Sequence, residues 1–398
     1  MNILLAFDKF KGSLTAGEAC RIAGEAVRAE WPEATISEAP LTDGGEGFCP
    51  ILTEAAKGRV ERVSVSDPLQ RPIDATVGWV EADQLPLTAR ARLGCVEGQL
   101  IAVIEMASAS GLPILAQSER DPWKTTTLGT GELMRHAVEE GADLILLGVG
   151  GSATNDCGAG LLEALGARFF DCEGNLIAGI TPENFDRVAE VDFSDVLELP
   201  PVVVASDVQS PLLGEFGATR VFGPQKGLLE VDRMEASYER MARRIATGSP
   251  LGEEVVWEKV LSPGMGAAGG ISFALSATAE VRIEPGFALV SDWMGIDQKL
   301  VDADWVLTGE GRLDRSSLSG KGPVALLREA VVANARVGVF AGGLEKGVPE
   351  ELSKELGGCD CVELSRPGWT LEKSVSETKS RLAEELSLWA IKRKASTE

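Results

Sequence analysis

Glycines and short polar residues that could bind a phosphate group follow an apolar run near the middle of the chain. Residues 148–160 read G-V-G-G-S-A-T-N-D-C-G-A-G, directly after the apolar residues 144–147. This order predicts a strand, a turn and a helix, and such a turn aims backbone N–H groups at an anion. The alternative is a tight turn whose polar side chains only cap the helix. The segment lacks the Gly-Lys-Ser/Thr of a Walker A sequence.

Carboxylates and lysines stand where the first two predicted strands end. The first strand runs into A-F-D-K-F-K-G-S, residues 6–13, and the second into L-T-D-G-G-E-G, residues 41–47. The polar residues of interest in these segments are Asp8, Lys9, Lys11, Ser13 and Asp43. Ligands bind at the carboxyl ends of parallel strands, and two lysines in an acidic chain favour an anionic ligand. Solvated residues in capped turns are the alternative.

Later segments repeat the combination of glycines with polar or charged residues. They are K-T-T-T-L-G-T-G-E-L at 124–133, F-G-P-Q-K-G at 222–227, T-G-E-G-R-L-D at 308–314 and S-G-K-G-P at 319–323. The first of them could donate hydroxyl and N–H groups to phosphate oxygens, or could be a plain helix cap. Asp207 follows a predicted buried strand at 201–205 and is a candidate Mg²⁺ ligand or general base.

The elements that must position these segments alternate strand and helix at both ends of the chain. A capping-box pair, Thr15 and Glu18, begins a predicted helix over residues 16–30, and a long helix is predicted over 371–392. We predict an α/β fold of two domains, in which residues 1–67 and 284–398 form a discontinuous, doubly wound (Rossmann-like) domain. Residues 68–283 form an inserted mixed α/β domain with glycine-rich loops, and the active site is expected in the cleft between the domains.

Composition limits the classes of function. The chain has 398 residues, 61 acidic and 38 basic side chains and a formal net charge of −23, which argues against nucleic acid or a membrane surface as partner. No apolar run reaches the roughly 18 residues of a membrane span, so we expect a cytoplasmic protein. A single histidine, His136, excludes multi-histidine zinc sites. The oligomeric state is left open, with a homodimer as one alternative.

In this order, the segments resemble those of the bacterial glycerate kinase family, the class I glycerate 2-kinases. The motifs that carry the resemblance, from about residue 1 to 385, are D-x-F-K-G-S, T-D-G-G-E-G, T-T-T-x-G-T-G-E-L, G-G-S-A-T-N-D, P-Q-K-G, G-A-A-G-G, T-G-E-G-R-x-D and G-K-G-P. Each motif alone is weak, but their common order makes a chance match improbable. The resemblance implies a two-domain α/β enzyme that phosphorylates D-glycerate to 2-phosphoglycerate with ATP and Mg²⁺.

Hypotheses for the site follow from these motif positions and from phosphoryl transfer, which needs positioning and charge neutralisation. The residues assigned to catalysis are Asp207, Lys11 and Asp43. Those assigned to the small-molecule substrate are Asp8, Lys9, Ser13, Arg312, Lys226 and Lys321. Those assigned to the nucleotide are Thr126, Thr127, Gly129, Gly150, Gly151, Ser152 and Asn155. Those assigned to the metal are Asp156, Asp207 and Glu310. The sequence does not separate the base from the metal ligands.

Some positions depart from the family pattern, namely Lys9, Cys157, Ser206 and Ser210. Lys9 stands where serine is expected and adds positive charge beside the proposed substrate site. Ser210 lacks an amide that could have contacted the ligand. Two alternatives are therefore kept open: a kinase for another small hydroxy acid, such as one with an added carboxylate, and a nucleotide-binding protein without catalysis.

Overall fold

The structure, a computed structural model, describes residues 1–319 and 322–396. Among these residues the strands are, in chain order, β1 (Asn2–Leu5), β2 (Thr35–Glu38), β3 (Arg59–Ser66), β4 (Pro72–Glu81), β5 (Leu100–Glu105), β6 (Leu144–Gly148), β7 (Arg168–Phe170), β8 (Leu176–Ile177), β9 (Glu190–Asp192), β10 (Val202–Ala205), β11 (Val281–Glu284), β12 (Trp305–Leu313), β13 (Arg336–Leu344) and β14 (Asp360–Glu363).

The α-helices of the same residues are α1 (Ala16–Glu30), α2 (Phe48–Ala55), α3 (Leu87–Leu93), α4 (Ala107–Ser110), α5 (Leu128–Glu139), α6 (Ala159–Ala164), α7 (Ala218–Phe222), α8 (Val231–Gly248), α9 (Glu253–Trp257), α10 (Ile271–Leu275), α11 (Gly286–Met294), α12 (Ile296–Val301), α13 (Gly322–Val332), α14 (Val348–Glu355) and α15 (Leu371–Ala395). Within the part of the chain that is described, none of these helices combines the length and the apolar character needed to span a membrane.

The chain divides into two compact units. The first contains Met1–Thr42 and Val290–Glu398, and the second contains Asp43–Leu289. These limits differ from the predicted 1–67, 68–283 and 284–398 mainly at β3, since the later limit moves only from 283 to Leu289. β3 pairs with β4 in antiparallel orientation and β11 pairs with β10 in parallel, so both belong to a sheet of the second unit. The predicted limit between residues 67 and 68 therefore falls inside the second unit and not at its edge.

The first unit contains a parallel sheet in the order β14-β13-β12-β1-β2. Numbered along this unit, the strands have the order 2-1-3-4-5, which is a doubly wound arrangement with its switch point between β1 and β12. This confirms the predicted α/β class. Ligands of such sheets bind outside the carboxyl ends of the strands at the switch point, and β1 and β12 end in the segments that contain Asp8 and Glu310.

Helices cover this sheet because their apolar residues recur at helical spacing. Thr15 and Glu18 form the capping box that starts α1, as predicted. The buried face of α1 packs against α15, and it shares a core with Leu5 and Leu307 of the sheet. α13 packs on β12 and β13. Burial of one such leucine stabilises the unit by about 1.5–3 kcal/mol.

The second unit contains a mixed sheet in the order β11-β10-β6-β5-β4-β3. The strands β11, β10, β6 and β5 are parallel, and β4 and β3 are antiparallel to their neighbours. Every residue of β6 is buried, as expected for a parallel strand that is covered on both faces. A small antiparallel sheet, β8-β7-β9, belongs to the same unit. The parallel strands place their carboxyl ends at one edge of the sheet.

Candidate active site

Three backbone segments of the second unit meet at this carboxyl edge. The N–H of Gly150, after β6, donates to the carbonyl of Gly44 at 2.9 Å. Gly44 has a φ of 92°, and a Cβ built on it would lie 2.7 Å from the carbonyl oxygen of Ala205, the last residue of β10. Only glycine fits there, because both the backbone conformation and the available space exclude a side chain. The segment after Asp43 therefore lies directly against the ends of β6 and β10.

Two predicted catalytic carboxylates lie at the same edge. Asp207 is half-buried just after β10, and its Oδ1 accepts the N–H of Gly286 at 3.0 Å. Asp43 is exposed, and its Oδ1 accepts the N–H of Gly45 at 3.2 Å. A Cβ built on Gly286 would lie 2.8 Å from the carbonyl oxygen of Asp43 and 3.4 Å from Oδ2 of Asp207. The structure thus brings Asp43 and Asp207 close together, with Gly286 packed next to both of them.

The residues 149–155, which we call the glycine turn, border these carboxylates. Gly150 and Ser152 are half-buried and Gly151 is exposed with a φ of 75°, a conformation that favours glycine. The carbonyl of Gly151 accepts the N–H of Leu112 at 2.8 Å, which anchors the turn to the segment after α4. The predicted phosphate contacts Gly150, Gly151 and Ser152 are therefore accessible on a backbone that is held in place.

Asp156 lies inside the second unit and has a different environment from Asp207. Its Oδ2 accepts the N–H of Thr127 at 2.7 Å, the hydroxyl of Thr127 at 2.8 Å and the N–H of Gly160 at 3.2 Å, and its Oδ1 accepts the N–H of Gly158 at 3.2 Å. Burial raises the pKa of this carboxyl, and the hydrogen bonds from Thr127 oppose the rise. Asp156 thereby ties together the N-termini of α5 and α6. These contacts favour a structural role for Asp156, and its role as a metal ligand stays a prediction.

Most of the predicted nucleotide contacts around α5 are also part of helix packing. The residues concerned, all buried, are Thr126, Thr127, Gly129 and Asn155. The hydroxyl oxygen of Thr127 accepts the N–H of Leu161 at 2.9 Å, and that of Thr126 accepts the N–H of Leu128 at 3.3 Å. A Cβ on Gly129 would lie 1.8 Å from the carbonyl oxygen of Ser66. These contacts favour a packing role for this segment, and we leave its residues out of the proposed ligand set.

Lys226 is buried and does not reach solvent as a substrate contact would. Its Nζ donates to Oγ of Ser152 at 2.9 Å and to the carbonyl of Thr154 at 2.5 Å. Burial lowers the pKa of this ammonium to about 7, and the negative charge of Asp156 acts in the opposite direction. Lys226 therefore lies underneath the glycine turn, and its direct contact with substrate stays a prediction.

In the first unit, the ends of β1 and β12 bring predicted substrate contacts together. The N–H of Asp8 donates to the carbonyl of Gly309 at 2.9 Å, and a Cβ on Gly311 would lie 3.3 Å from the nitrogen of Lys11. Nζ of Lys9 lies 3.9 Å from Oδ1 of Asp8. The predicted contacts at this edge are Asp8, Lys9, Lys11, Glu310 and Arg312, of which Lys11 and Arg312 are exposed. This edge therefore combines cations with carboxylates at the switch point.

Glu310 is the carboxylate with the most unusual environment in this group. Its Oε1 is buried and, among the described residues, has no hydrogen-bond partner. Burial, together with the nearby charges of Asp8 and Asp314, raises the pKa of Glu310 to about 7, and a hydrogen bond with Ser317 opposes the rise. An acceptor in this state fits a cation. Of the other predicted contacts, the hydroxyl of Ser13 donates to the carbonyl of Val375 at 2.8 Å, and Lys321 lies outside the described residues.

Glu105, at the end of β5, is a further residue of this region, and the sequence motifs do not predict its role. Its carboxylate is buried and accepts the N–H groups of Gly47 and Cys49 at 3.1 and 3.2 Å, so it holds the N-terminus of α2 and the loop that begins at Asp43. The available signal was a single acidic residue at the end of the otherwise apolar strand L-I-A-V-I-E. A carboxylate in such a position is expected to have strong donors.

The carboxylates at these two edges also bear on metal binding. Across residues 1–319 and 322–396, no group of three or more His, Cys, Asp or Glu side chains is arranged to hold a metal ion. Mg²⁺ in nucleotide enzymes is bound through one or two carboxylates, with phosphate oxygens and water as the other ligands. Asp207 with Asp43 in the second unit, or Glu310 in the first, fits that smaller requirement. A dedicated protein cage for the metal is not needed.

Comparisons with known proteins agree over nearly the whole chain. The model of the glycerate kinase family matches residues 3–389. The chain is 36% identical over 350 residues to a glycerate kinase of Halalkalibacterium halodurans, covering 87% of this chain and 86% of the relative. It is 35% identical over 356 residues to a glycerate 2-kinase of Escherichia coli K12, covering 87% of both. A crystal structure from Salmonella typhimurium LT2, provisionally described as a glycerate kinase 2, has a TM-score of 0.78 at 36% identity, covering 100% of this chain and 99% of that one.

Proposed function

We propose that this chain, which belongs to the glycerate kinase family, transfers the terminal phosphate of ATP to the C2 hydroxyl of D-glycerate. The products would be 2-phosphoglycerate and ADP. Membership confirms the resemblance read from the motifs. The choice of C2 is supported by the relative from Escherichia coli that is named a glycerate 2-kinase. The observation that carries the proposal is the position of Asp207 and Asp43 beside the glycine turn at one sheet edge.

The residues of the second unit can do most of what phosphoryl transfer requires. The glycine turn offers backbone N–H groups around Gly150 and Gly151 to the phosphates of ATP, as glycine turns at strand ends do. Asp207 would accept the proton of the attacking hydroxyl, because the N–H of Gly286 holds one of its oxygens in a fixed direction. Mg²⁺, when bound with the nucleotide, would neutralise charge on the phosphates. Asp43 or Glu310 would be its carboxylate ligand.

In the first unit, the exposed cations would bind the anionic groups of the reactants. Lys11 and Arg312 lie at the ends of the two strands that flank the switch point and are exposed. Lys9 has a carboxylate neighbour, Asp8, at 3.9 Å, so part of its added charge is balanced within the chain. This balance favours glycerate over an acid with an additional carboxylate. Lys9 is half-buried, and a hydroxy acid with an added carboxylate is the alternative substrate to be tested.

A substrate panel tests the reaction and its position. With ATP and Mg²⁺, we expect ADP release with D-glycerate and only background release with tartronate, malate or no acid. In phosphorus NMR, a phosphate on C2 couples to one proton, whereas a phosphate on C3 couples to two. Release of ADP with malate alone would favour the alternative hydroxy acid. If ATP binds but no acid stimulates ADP release, the chain is a nucleotide-binding protein and the proposal is wrong.

Removal of the metal tests the carboxylate assignments. Treatment with a chelator is expected to lower turnover by about 100-fold or more, with recovery on addition of Mg²⁺, because charge on the transferred phosphate is no longer neutralised. Asp43→Asn and Glu310→Gln are compared at increasing Mg²⁺. The variant that lacks a metal ligand should need about tenfold more Mg²⁺ for half-maximal turnover. Wild-type Mg²⁺ dependence in both variants would exclude both residues as ligands.

A further inference from the structure

Lys226 holds the glycine turn from its inner side. It is the last residue of the short 3₁₀ helix Pro224–Lys226, and only 2% of its surface is exposed. Its two hydrogen bonds, to Oγ of Ser152 and to the carbonyl of Thr154, both go to the glycine turn. Lysine side chains are almost never buried without a counter-charge. Here, however, the buried lysine lies under a loop that we propose to bind phosphate. The position calls for a functional explanation.

The surroundings of Lys226 contain little negative charge. Its two acceptors are a hydroxyl and a carbonyl, which do not offset the loss of hydration of a full positive charge. Burial accordingly lowers its pKa to about 7, against the opposing charge of Asp156. Cys157 and Tyr238, which lie near Asp156, are neutral because burial raises the pKa of both well above the ordinary values. The segment packed against the neighbouring Gly227 contributes Arg120, a permanent cation.

Other buried polar atoms of the glycine turn also lack partners. In the part of the chain that is described, Oγ1 of Thr154 and Oδ1 of Asn155 are buried without a hydrogen bond. Buried polar groups in folded proteins are normally satisfied, so unsatisfied ones indicate a further group in the working state. The hydroxyl of Thr154 can donate to an anion, whereas Oδ1 of Asn155 only accepts and would need a donor. The region beneath the turn is thus short of negative charge. An anion on the turn would supply the missing charge.

We propose that Lys226 is a positioning residue for the nucleotide: acting through Ser152 and Thr154, it sets the glycine turn and takes up a proton when the phosphates of ATP bind. This inference rests on the proposed function, because it takes the glycine turn to be the phosphate site. The proton comes from solvent and no covalent bond of the nucleotide is involved. The ammonium then attracts the phosphate charge across the thin glycine backbone.

The sign and size of the proton uptake follow from linkage. Without nucleotide, Lys226 is mostly protonated below its pKa of about 7 and mostly neutral above it. A bound phosphate favours the ammonium form, so binding draws a proton wherever the free lysine is neutral. The uptake per nucleotide should be small at pH 6 and should approach one proton at pH 8. It rises over this range because the free lysine loses its proton while the ammonium beside bound phosphate keeps it.

Calorimetry of ATP binding measures this uptake directly. The full chain is titrated with ATP and Mg²⁺, without any acid, at three pH values and in buffers of different ionisation enthalpy. We expect buffer-dependent binding enthalpy in the wild type and none in Lys226→Met. Lys259→Met is the matched control, because that lysine also donates to a carbonyl, of Ser276 at 3.0 Å, within the same unit. This control should take up protons like the wild type.

Kinetics separate positioning from a purely structural role. Lys226→Met is expected to raise the KM for ATP by about tenfold or more, with the KM for D-glycerate changed less than about twofold. Lys226→Arg should restore part of the ATP affinity without any proton uptake, since a guanidinium stays charged at every pH tested. Ser152→Ala, which removes one of the two links, should give an intermediate KM for ATP.

Each outcome supports or overturns the inference. Wild-type binding with no buffer dependence at pH 7 and 8 overturns it, as does proton uptake that persists in Lys226→Met. If Lys226→Met does not fold, measurements on the wild type, Lys226→Arg and Ser152→Ala still test the inference. If ATP binding is accompanied by proton uptake but no acid is phosphorylated, the proposed function is wrong and this inference is supported. Absence of any ATP binding would overturn both.

Discussion

Replacement of Asp207 by asparagine is expected to lower kcat for D-glycerate phosphorylation by about 10³-fold, within the range known for a general base. Asparagine has the same shape, and its carbonyl oxygen can still accept the N–H of Gly286, which lies 3.0 Å from Oδ1 in the structure. The substitution therefore removes the charge and basicity of Asp207 while leaving the loop in place. Steady-state kinetics with thermal unfolding of the same preparation measure both effects.

Glu284→Gln provides the matched control for this prediction. Glu284 ends β11, the strand next to β10, and its carboxylate is paired with Arg92 at 2.9 Å. Loss of this partly exposed ion pair should change kcat by less than about threefold. Near-normal turnover of Asp207→Asn would remove Asp207 from the catalytic set. A similar loss in both variants would instead indicate a general electrostatic effect of the strand ends.

Replacement of Asp156 by asparagine is expected to lower the free energy of unfolding by about 3 kcal/mol, because buried donors that lose an acceptor each cost about 1–3 kcal/mol. Four donors, from Thr127, Gly158 and Gly160, converge on this carboxylate. An amide has only one acceptor oxygen and would present N–H groups to donors. For a unit of this size the midpoint of thermal unfolding should fall by roughly 6–12 °C.

The stability of Asp143→Asn is the reference for Asp156→Asn. Asp143 is exposed and accepts a single N–H, that of Leu100 at 2.8 Å, so its loss should cost about 0.5–1 kcal/mol. If Asp156 instead held the metal, its substitution would leave the metal-free chain as stable as this reference and would raise the Mg²⁺ requirement of turnover. Equal stability of the two variants would therefore contradict the structural role assigned here.

Local signals allowed several elements to be predicted with nearly correct limits. The capping box at Thr15 places the start of α1, and the predicted and observed helices both cover residues 16–30. The terminal helix was predicted over 371–392 and is observed over Leu371–Ala395. Caps and helical periodicity depend on residues a few positions apart, so they can be recognised without knowledge of the fold.

Sheet membership could not be predicted in the same way. The predicted limit at residue 67 leaves β3 with the residues before it, yet its partner is β4, which lies after that limit. Strand pairing depends on hydrogen bonds between residues that are distant in sequence, and a strand pattern does not identify its partner. The predicted domain limits were therefore displaced, although the α/β class was correct.

The two aspartates of the candidate site illustrate the same limit for side chains. Both Asp156 and Asp207 follow an apolar strand, so their local sequences predict similar roles. The first is buried among the donors that join α5 and α6, and the second is half-buried beside Gly286. The distinction depends on which helix packs over the strand end.

The chain's own residues thus establish the α/β class, the family and the loops at which ligands are expected, because short motifs and apolar periodicity carry that information. Tertiary packing determines the roles of the individual side chains within those loops. The motif P-Q-K-G predicts an exposed cation at Lys226, but the tertiary structure places this lysine beneath Ser152. Burial there lowers the pKa of its ammonium group. Burial and charge are set by atoms contributed from distant segments, and these determine whether a polar group binds a ligand or supports the loop that does.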